Sequence, residues 1–198
     1  DGVLYAATSD GLRIVRDGQL QHVDLSMLDG TRAVLGFHED QSRGELWLAT
    51  DRGLVRYRPH DGDARLLGRA AGLPIDKFFA IVADRDGQFW LSSNRGVVRI
   101  AQAAARAVIA GTQNHIDWDL YDESDGMASA QCNGSSSPAA TLAADGSVWV
   151  ATARGVARVQ PWRSDAFGAR IPPTIIESLL ADGHEFPRDD SARLPAGT

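Results

Sequence analysis

Short apolar runs, each four to six residues long and broken by Gly-bearing turns, recur along the whole chain. Phe79-Ala80-Ile81-Val82-Ala83 ends at Asp86-Gly87, a pair that readily adopts the positive φ angles of a tight hairpin. Phe89-Trp90-Leu91-Ser92-Ser93 follows, rich in bulky residues; Asn94-Arg95-Gly96 closes it and Val97-Val98-Arg99-Ile100 continues. A more polar fourth stretch completes the unit. In the preceding unit it is Ala64-Arg65-Leu66-Leu67-Gly68, after which Gly72-Leu73-Pro74 hands the chain on. The pattern predicts four short antiparallel strands per unit.

The unit repeats. Leu4-Tyr5-Ala6-Ala7-Thr8 before Gly11-Leu12 matches Leu46-Trp47-Leu48-Ala49-Thr50 before Gly53-Leu54, then Phe89-Trp90-Leu91-Ser92-Ser93 before Gly96-Val97, then Val148-Trp149-Val150-Ala151-Thr152 before Gly155-Val156. The aromatic falls at positions 5, 47, 90 and 149, so the separations are 42, 43 and 59, and the last interval carries 16 or 17 extra residues. A period of about 40 to 45 residues is that of a propeller blade, whose faces are buried only against neighbouring blades. The expected fold is therefore all-β: β-propeller blades of four antiparallel strands, a partial propeller of about four blades over residues 1–162. The first copy begins at its second strand, so its innermost strand is missing, and the chain reads as part of a larger propeller. Open blade faces and strand edges either bind something or aggregate, and pairing of two copies through the cut faces is the expected homodimer. Pro161 and Pro172-Pro173 mark a linker, and Thr174-Ile175-Ile176-Glu177-Ser178-Leu179-Leu180 reads as a strand ending at Asp182-Gly183. Residues 163–198 are too few for an independent domain and read as a truncated second one, or as a strand packed on the propeller.

Composition narrows the partners. The 198 residues carry 20 Lys and Arg against 26 Asp and Glu, a net charge of −6, which argues against nucleic acid because phosphate binding rests on basic side chains. Charged residues make up 23% and hydrophobic ones 43%, as in a soluble globular protein. The weakly polar run over 101–111 is too short to cross a bilayer of about 30 Å. The single Cys132 allows no internal disulfide. The start at Asp1-Gly2 reads as though cut from a longer chain.

Candidate chemistry is sparse. The five histidines lie far apart without metal-ligand spacing, so no metal or cofactor is expected. Asp84-Arg85-Asp86-Gly87 begins like a calcium loop but lacks the downstream bidentate Glu, and reads as a hairpin turn. Ser135-Ser136-Ser137 has no nucleophile-elbow pattern, and the formal sequon Asn133-Gly134-Ser135 marks a surface loop. Tyr5, Trp47, Trp90 and Trp149 are read as packing between blades, where each buries about 150–250 Å². Trp118, in the extra segment near Asp117, Asp119 and Tyr121, is either a ligand platform or a loop anchor on the ring.

In a four-stranded blade, the turn between strands two and three emerges on the same face as the connection to the next blade. That face would carry Arg52, Arg95 and Arg154, with Asp76 and Lys77 from one connection and Asn133 from another. Three guanidiniums beside carboxylate and amide groups suit an anionic or polyhydroxylated ligand. The alternative is that each Arg caps its own turn or pairs with a neighbour such as Asp51.

Leu46 to Leu54, with Gly72-Leu73-Pro74 ahead of Ile81-Val82-Ala83-Asp84, resembles the two-component-regulator propeller repeat. The run from Tyr121 to Asn133 resembles the segment before the last blade of the periplasmic sensor regions in hybrid histidine kinases and membrane-bound diguanylate cyclases. The run from Pro172 to Gly183 resembles the opening strand of the Ig-like domain that follows such propellers. The resemblance implies a periplasmic, non-enzymatic ligand sensor of an inner-membrane receptor, with the earlier blades, the rest of the Ig-like domain, the membrane helix and the output domain outside these residues. A protein-interaction or dimerisation scaffold is the alternative reading. A propeller hydrolase or lyase would need histidines and carboxylates clustered around one pore.

Overall fold

The computed structural model describes residues 2–134, 136–162, 179–181 and 184–186. They divide into two units, residues 1–161 and residues 162–198.

The first unit is all-β, with one helix inserted. Four antiparallel meanders follow one another: β1 (Leu4–Thr8), β2 (Gly11–Arg16) and β3 (Gln19–Val23); β4 (Val34–Asp40), β5 (Glu45–Thr50), β6 (Leu54–Tyr57) and β7 (Ala64–Leu67); β8 (Ala80–Ala83), β9 (Gln88–Ser93), β10 (Gly96–Ala101) and β11 (Trp118–Tyr121); β12 (Ala140–Leu142), β13 (Val148–Thr152) and β14 (Gly155–Val159). The sheets are the expected blades of a partial propeller. Matching β1 to β5, β9 and β13 makes β1–β3 the second to fourth strands of the first blade, as the repeat predicts, and β12–β14 the first to third strands of the last.

Each blade is sealed to the next by the period-two alternation of its second strand. In β5, Leu46 and Leu48 pack with Leu12 and Ile14 of the first blade, while Trp47 and Ala49 pack with Ile81, Phe89 and Leu91 of the third. Trp90 and Val97 in turn meet Val148 and Val150 of the fourth. Trp47 and Phe89 stack across the second junction with centroids 5.0 Å apart.

The blade connections add hydrogen bonds to these apolar seams. Phe78 N donates to Thr50 O at 3.0 Å and Phe79 N to Ser92 O at 2.8 Å, tying one connection to both blades it joins. Cys132 N does the same with Ser93 O at 3.0 Å, and Asn133 N with Ala151 O at 2.8 Å.

Part of the extra stretch in the long interval forms α1 (Gln102–Ile109), between β10 and β11. Sequence reading counted those residues but assigned them no element. Their run, Gln-Ala-Ala-Ala-Arg-Ala-Val-Ile, is Ala-rich and favours helix. Ala105 is fully buried against the core between the second and third blades.

His38, on β4 opposite Trp47, lies edge-on to Phe89 with ring centroids 6.0 Å apart. Burial holds its pKa below the ordinary 6.5, with Arg106 acting in the same direction and Asp40 and Glu39 opposing. A depressed imidazole value means stability that is present above the unfolded value and lost as pH falls. Unfolding free energy should therefore decline as pH drops below about 6.5, by at most about 1.4 kcal/mol per pH unit for this one proton. Denaturation at several pH values checks this, and His38→Gln should flatten the profile in that window. Asp40 acts at lower pH. Burial raises its pKa, but the Ser42 hydroxyl, Arg106 and Arg43 outweigh that effect and hold it below 3.8, so its contribution disappears in acid.

In the second unit β15 (Leu179–Ala181) pairs with β16 (His184–Phe186) as an antiparallel hairpin. The predicted strand over 174–180 is represented by its last two residues; positions 174–178 and most of the predicted linker lie outside the described residues.

Candidate functional site

The turn between second and third strands is built identically four times. A Thr or Ser hydroxyl at the end of the second strand donates to the carbonyl of the Gly three residues on, at 2.8 Å for Thr8, 2.9 Å for Thr50, 2.8 Å for Ser93 and 3.0 Å for Thr152. The same oxygens accept the backbone N–H two residues on, from Asp10, Arg52, Arg95 and Arg154. The turn is therefore capped by the hydroxyl, and the arginine side chain takes no part in it. Among the described residues nothing pairs with the guanidinium of Arg52, Arg95 or Arg154, and all three side chains are exposed. Asp51 is engaged elsewhere: its carboxylate accepts from Arg32 N at 3.0 Å and Ala33 N at 3.1 Å, fastening the incoming connection.

The sequence-selected residues separate into distinct places. Lys77 and Asn133 line one cleft of about 390 Å³ with Leu35, Phe79, Gln131, Cys132, Gly134, Thr152 and Ala153. Its walls come from the second-to-third and third-to-fourth blade connections and from the turn of the last blade. Lys77 Nζ lies 5.8 Å from the Phe79 ring centroid. The Cys132 thiol is buried, and burial pushes its pKa up.

Arg52 and Asp76 line a second cleft of about 590 Å³, between the one-turn 3-10 helix Arg69–Ala71 and the residues around the end of α1. There Asp76 pairs with Arg69 at 2.6 Å rather than with any turn arginine. Arg95 and Arg154 line neither cleft.

Trp118 opens β11 instead of lying in a loop, and its indole N–H donates to Gly72 O at 2.9 Å. That bond ties the third blade to the preceding connection, and the ring is 40% exposed. Asp84 is likewise committed to structure. It accepts from Asp86 N and Gln88 N, each at 2.9 Å, and from Trp90 Nε1 at 2.7 Å.

Two arrangements escaped sequence reading. An Arg nine residues after each Trp stands across from it in the sheet: Arg56 by Trp47, Arg99 by Trp90 and Arg158 by Trp149. Arg99 and Arg158 stack on their partners at 5.8 and 5.5 Å. The spacing is visible in the repeat and was the available signal. The other is an ion-pair network. Arg106 on α1 reaches Asp40 at 2.5 Å and Glu45 at 3.5 Å, and Glu45 also pairs with Arg56, which continues to Asp63. Arg106 lies over Trp47, 5.3 Å from its centroid. No sequence signal joins residues 66 positions apart.

No family model matches the chain, and no curated protein matches it. Solved structures do. The extracellular domain of a protein described as a hybrid two-component system of B. thetaiotaomicron superposes with TM-score 0.68 at 20% identity, over 93% of this chain and 25% of that one. The extracellular domain of a second system of that organism, described as one-component, gives TM-score 0.59 at 15% identity over 79% and 20%. PorZ, a surface component of the type-IX secretion system of Porphyromonas gingivalis, gives 0.52 at 14% over 77% and 22%. At these identities the likeness is one of fold. The chain spans about a quarter or less of the length of each of these proteins.

Proposed function

We propose that this chain is part of an extracytoplasmic, periplasmic ligand-sensing propeller of a bacterial transmembrane receptor, non-enzymatic itself, with the cleft around Lys77 and Asn133 as its binding site. The observation that carries the reading is the convergence of two blade connections and a hairpin turn on that cleft. It collects an exposed ammonium, two amides, a hydroxyl and an aromatic ring within about 390 Å³. Such a lining suits a small polyhydroxylated or anionic ligand, with Phe79 offering an apolar surface and Lys77, Gln131 and Asn133 offering polar contacts. The fold likeness to extracellular domains of one- and two-component systems supports the placement outside the cytoplasm.

A binding role accords with the chemistry of the lining. Among the described residues that line it, Lys77 and Cys132 are the titratable ones and no acid–base pair stands there, and a thiol of raised pKa is a poor nucleophile. Because the connections wrap both neighbouring blades, a ligand gripping them can favour one arrangement of those blades over another, which is how binding biases output.

Calorimetry and thermal shift against a panel of neutral sugars, acidic sugars and small carboxylates test the reading. At least one class is expected to bind, with Lys77→Ala and Asn133→Ala each weakening it about tenfold, near 1.4 kcal/mol. Binding that both variants leave unchanged would place the site elsewhere, and Arg52→Ala would then separate out the second cleft.

A further inference from the structure

The cleft beside Arg69 takes no part in the binding site proposed above, and no residue lines both. Its volume of about 590 Å³ falls within the range of about 300–1,000 Å³ usual for small-molecule sites. Four stretches of the chain meet in its wall. Asp29 comes from the connection between the first and second blades, and Arg52 from the turn of the second blade. Arg69 and Asp76 come from the next connection, and Gln113 and Asn114 from the stretch after α1. Among the described residues α1 has no counterpart in the other blades, so the repeat does not reproduce this cleft.

The polar groups of the lining divide into engaged and free ones. Arg69 and Asp76 pair with each other at 2.6 Å, and Gln113 Nε2 donates to His115 O at 2.5 Å. Among the described residues nothing pairs with the guanidinium of Arg52, the carboxylate of Asp29 or the amide of Asn114. One cleft therefore holds a free cation and a free anion that do not pair with each other. Leu66, Ala70, Ala71 and Val108 supply the apolar part of the wall.

These charges select the ligand class. A simple anion would gain from Arg52 and be repelled by Asp29, and a simple cation would meet the reverse. Both side chains are exposed, where a single ion pair is worth little, so one charge alone would hold a ligand poorly. A ligand carrying both charges uses both groups at once. The C-terminal end of α1, in the same wall, adds a partial negative charge that favours an ammonium.

We propose that this cleft binds a small zwitterion, an α-amino acid or a short peptide, with its carboxylate on Arg52 and its ammonium near Asp29. The planar guanidinium takes the carboxylate in a bidentate pair, and the ligand's apolar side chain rests on Leu66 and Val108. The amino acid and the peptide share this chemistry and differ in the span between their charges.

Titration calorimetry with L-alanine, L-valine, L-leucine and the dipeptide alanyl-leucine tests the proposal and separates the two sources. At least one of the four should bind. Leucine or the dipeptide should bind at least about tenfold more tightly than isocaproate, which lacks the ammonium, and isoamylamine, which lacks the carboxylate. Arg52→Gln and Asp29→Asn should each weaken binding about tenfold, while Lys77→Ala leaves it unchanged. Asn tolerates the positive φ of 53° at position 29, so that substitution removes the charge and keeps the loop. The comparison with the two singly charged analogues uses the unaltered chain and stands even where a variant fails to fold. Absence of binding by all four zwitterions, an isocaproate affinity equal to that of leucine, or binding that depends on Lys77 and not on Arg52 would each overturn the proposal.

Discussion

Gly96→Ala is expected to lower unfolding stability by about 3–5 kcal/mol, and Gly155→Ala by only about 1–2 kcal/mol, although both glycines close the same repeated turn. The two share a backbone conformation, with φ of 121° and 119°, which an L side chain adopts only with strain. Their surroundings differ. A Cβ on Gly96 would lie 2.3 Å from Tyr121 O, on the fourth strand of its blade, and that carbonyl belongs to a paired strand that cannot withdraw freely. Gly53 meets the same obstacle, with Leu67 O at 2.4 Å. At Gly155 no described atom lies within 4 Å, because no fourth strand is present beside β14 among the described residues. Chemical denaturation of the three Ala variants measures the difference. Gly53→Ala should behave as Gly96→Ala does, and equal losses at Gly96 and Gly155 would show that φ strain alone governs the turn.

Arg106→Ala should cost about 2–4 kcal/mol, a little under the roughly 3–5 kcal/mol for removing one member of a fully buried ion pair, because these side chains keep some contact with solvent. Its side chain is 21% exposed, and those of Asp40 and Glu45 are 15% and 12% exposed. The substitution removes the bond to Asp40, the approach to Glu45 and the stack on Trp47, and leaves two carboxylates with fewer counter-charges in a poorly solvated place. Arg106→Lys should recover only part of the loss, since an ammonium can satisfy one carboxylate but cannot present a planar face to the indole. Arg65→Ala is the comparison. Its pair with Asp63 is largely solvated on the Arg side, at 63% exposure, and should be worth no more than about 0.5 kcal/mol. Urea midpoints for the three variants order the effects. An Arg106→Ala chain as stable as Arg65→Ala would mean that α1 does not lock the second and third blades.

The legible and illegible parts of the site follow the range of the interactions. The capped turn is local: Thr50, Arg52 and Gly53 lie within four residues, so the repeat shows it four times. The split of the selected side chains between two clefts was not legible. Asp76 and Lys77 are adjacent in the chain yet line different clefts, one beside Arg69 and the other beside Asn133. Arg52, Arg95 and Arg154 share a turn position, but of the three only Arg52 lines either of these clefts. Trp118 read as part of an insertion because the helix ahead of it displaced the fourth strand from its usual spacing.

By itself the sequence determined the all-β class, the blade period, the strands and turns within each blade and the packing of Trp47 and Trp90 between blades; Trp149, read the same way, is 38% exposed. All of these depend on residues a few positions apart, where alternation of side chains and glycine's access to positive φ act without distant help. Only the tertiary structure decided what each blade meets: that Trp47 is sealed while its equivalent Trp149 is not, that Arg106 reaches back to Asp40, and that Lys77 and Asn133 share a cleft. Identical local sequence cannot distinguish an inner blade from an end blade, because burial is set by the neighbouring surface and not by the residue that is buried.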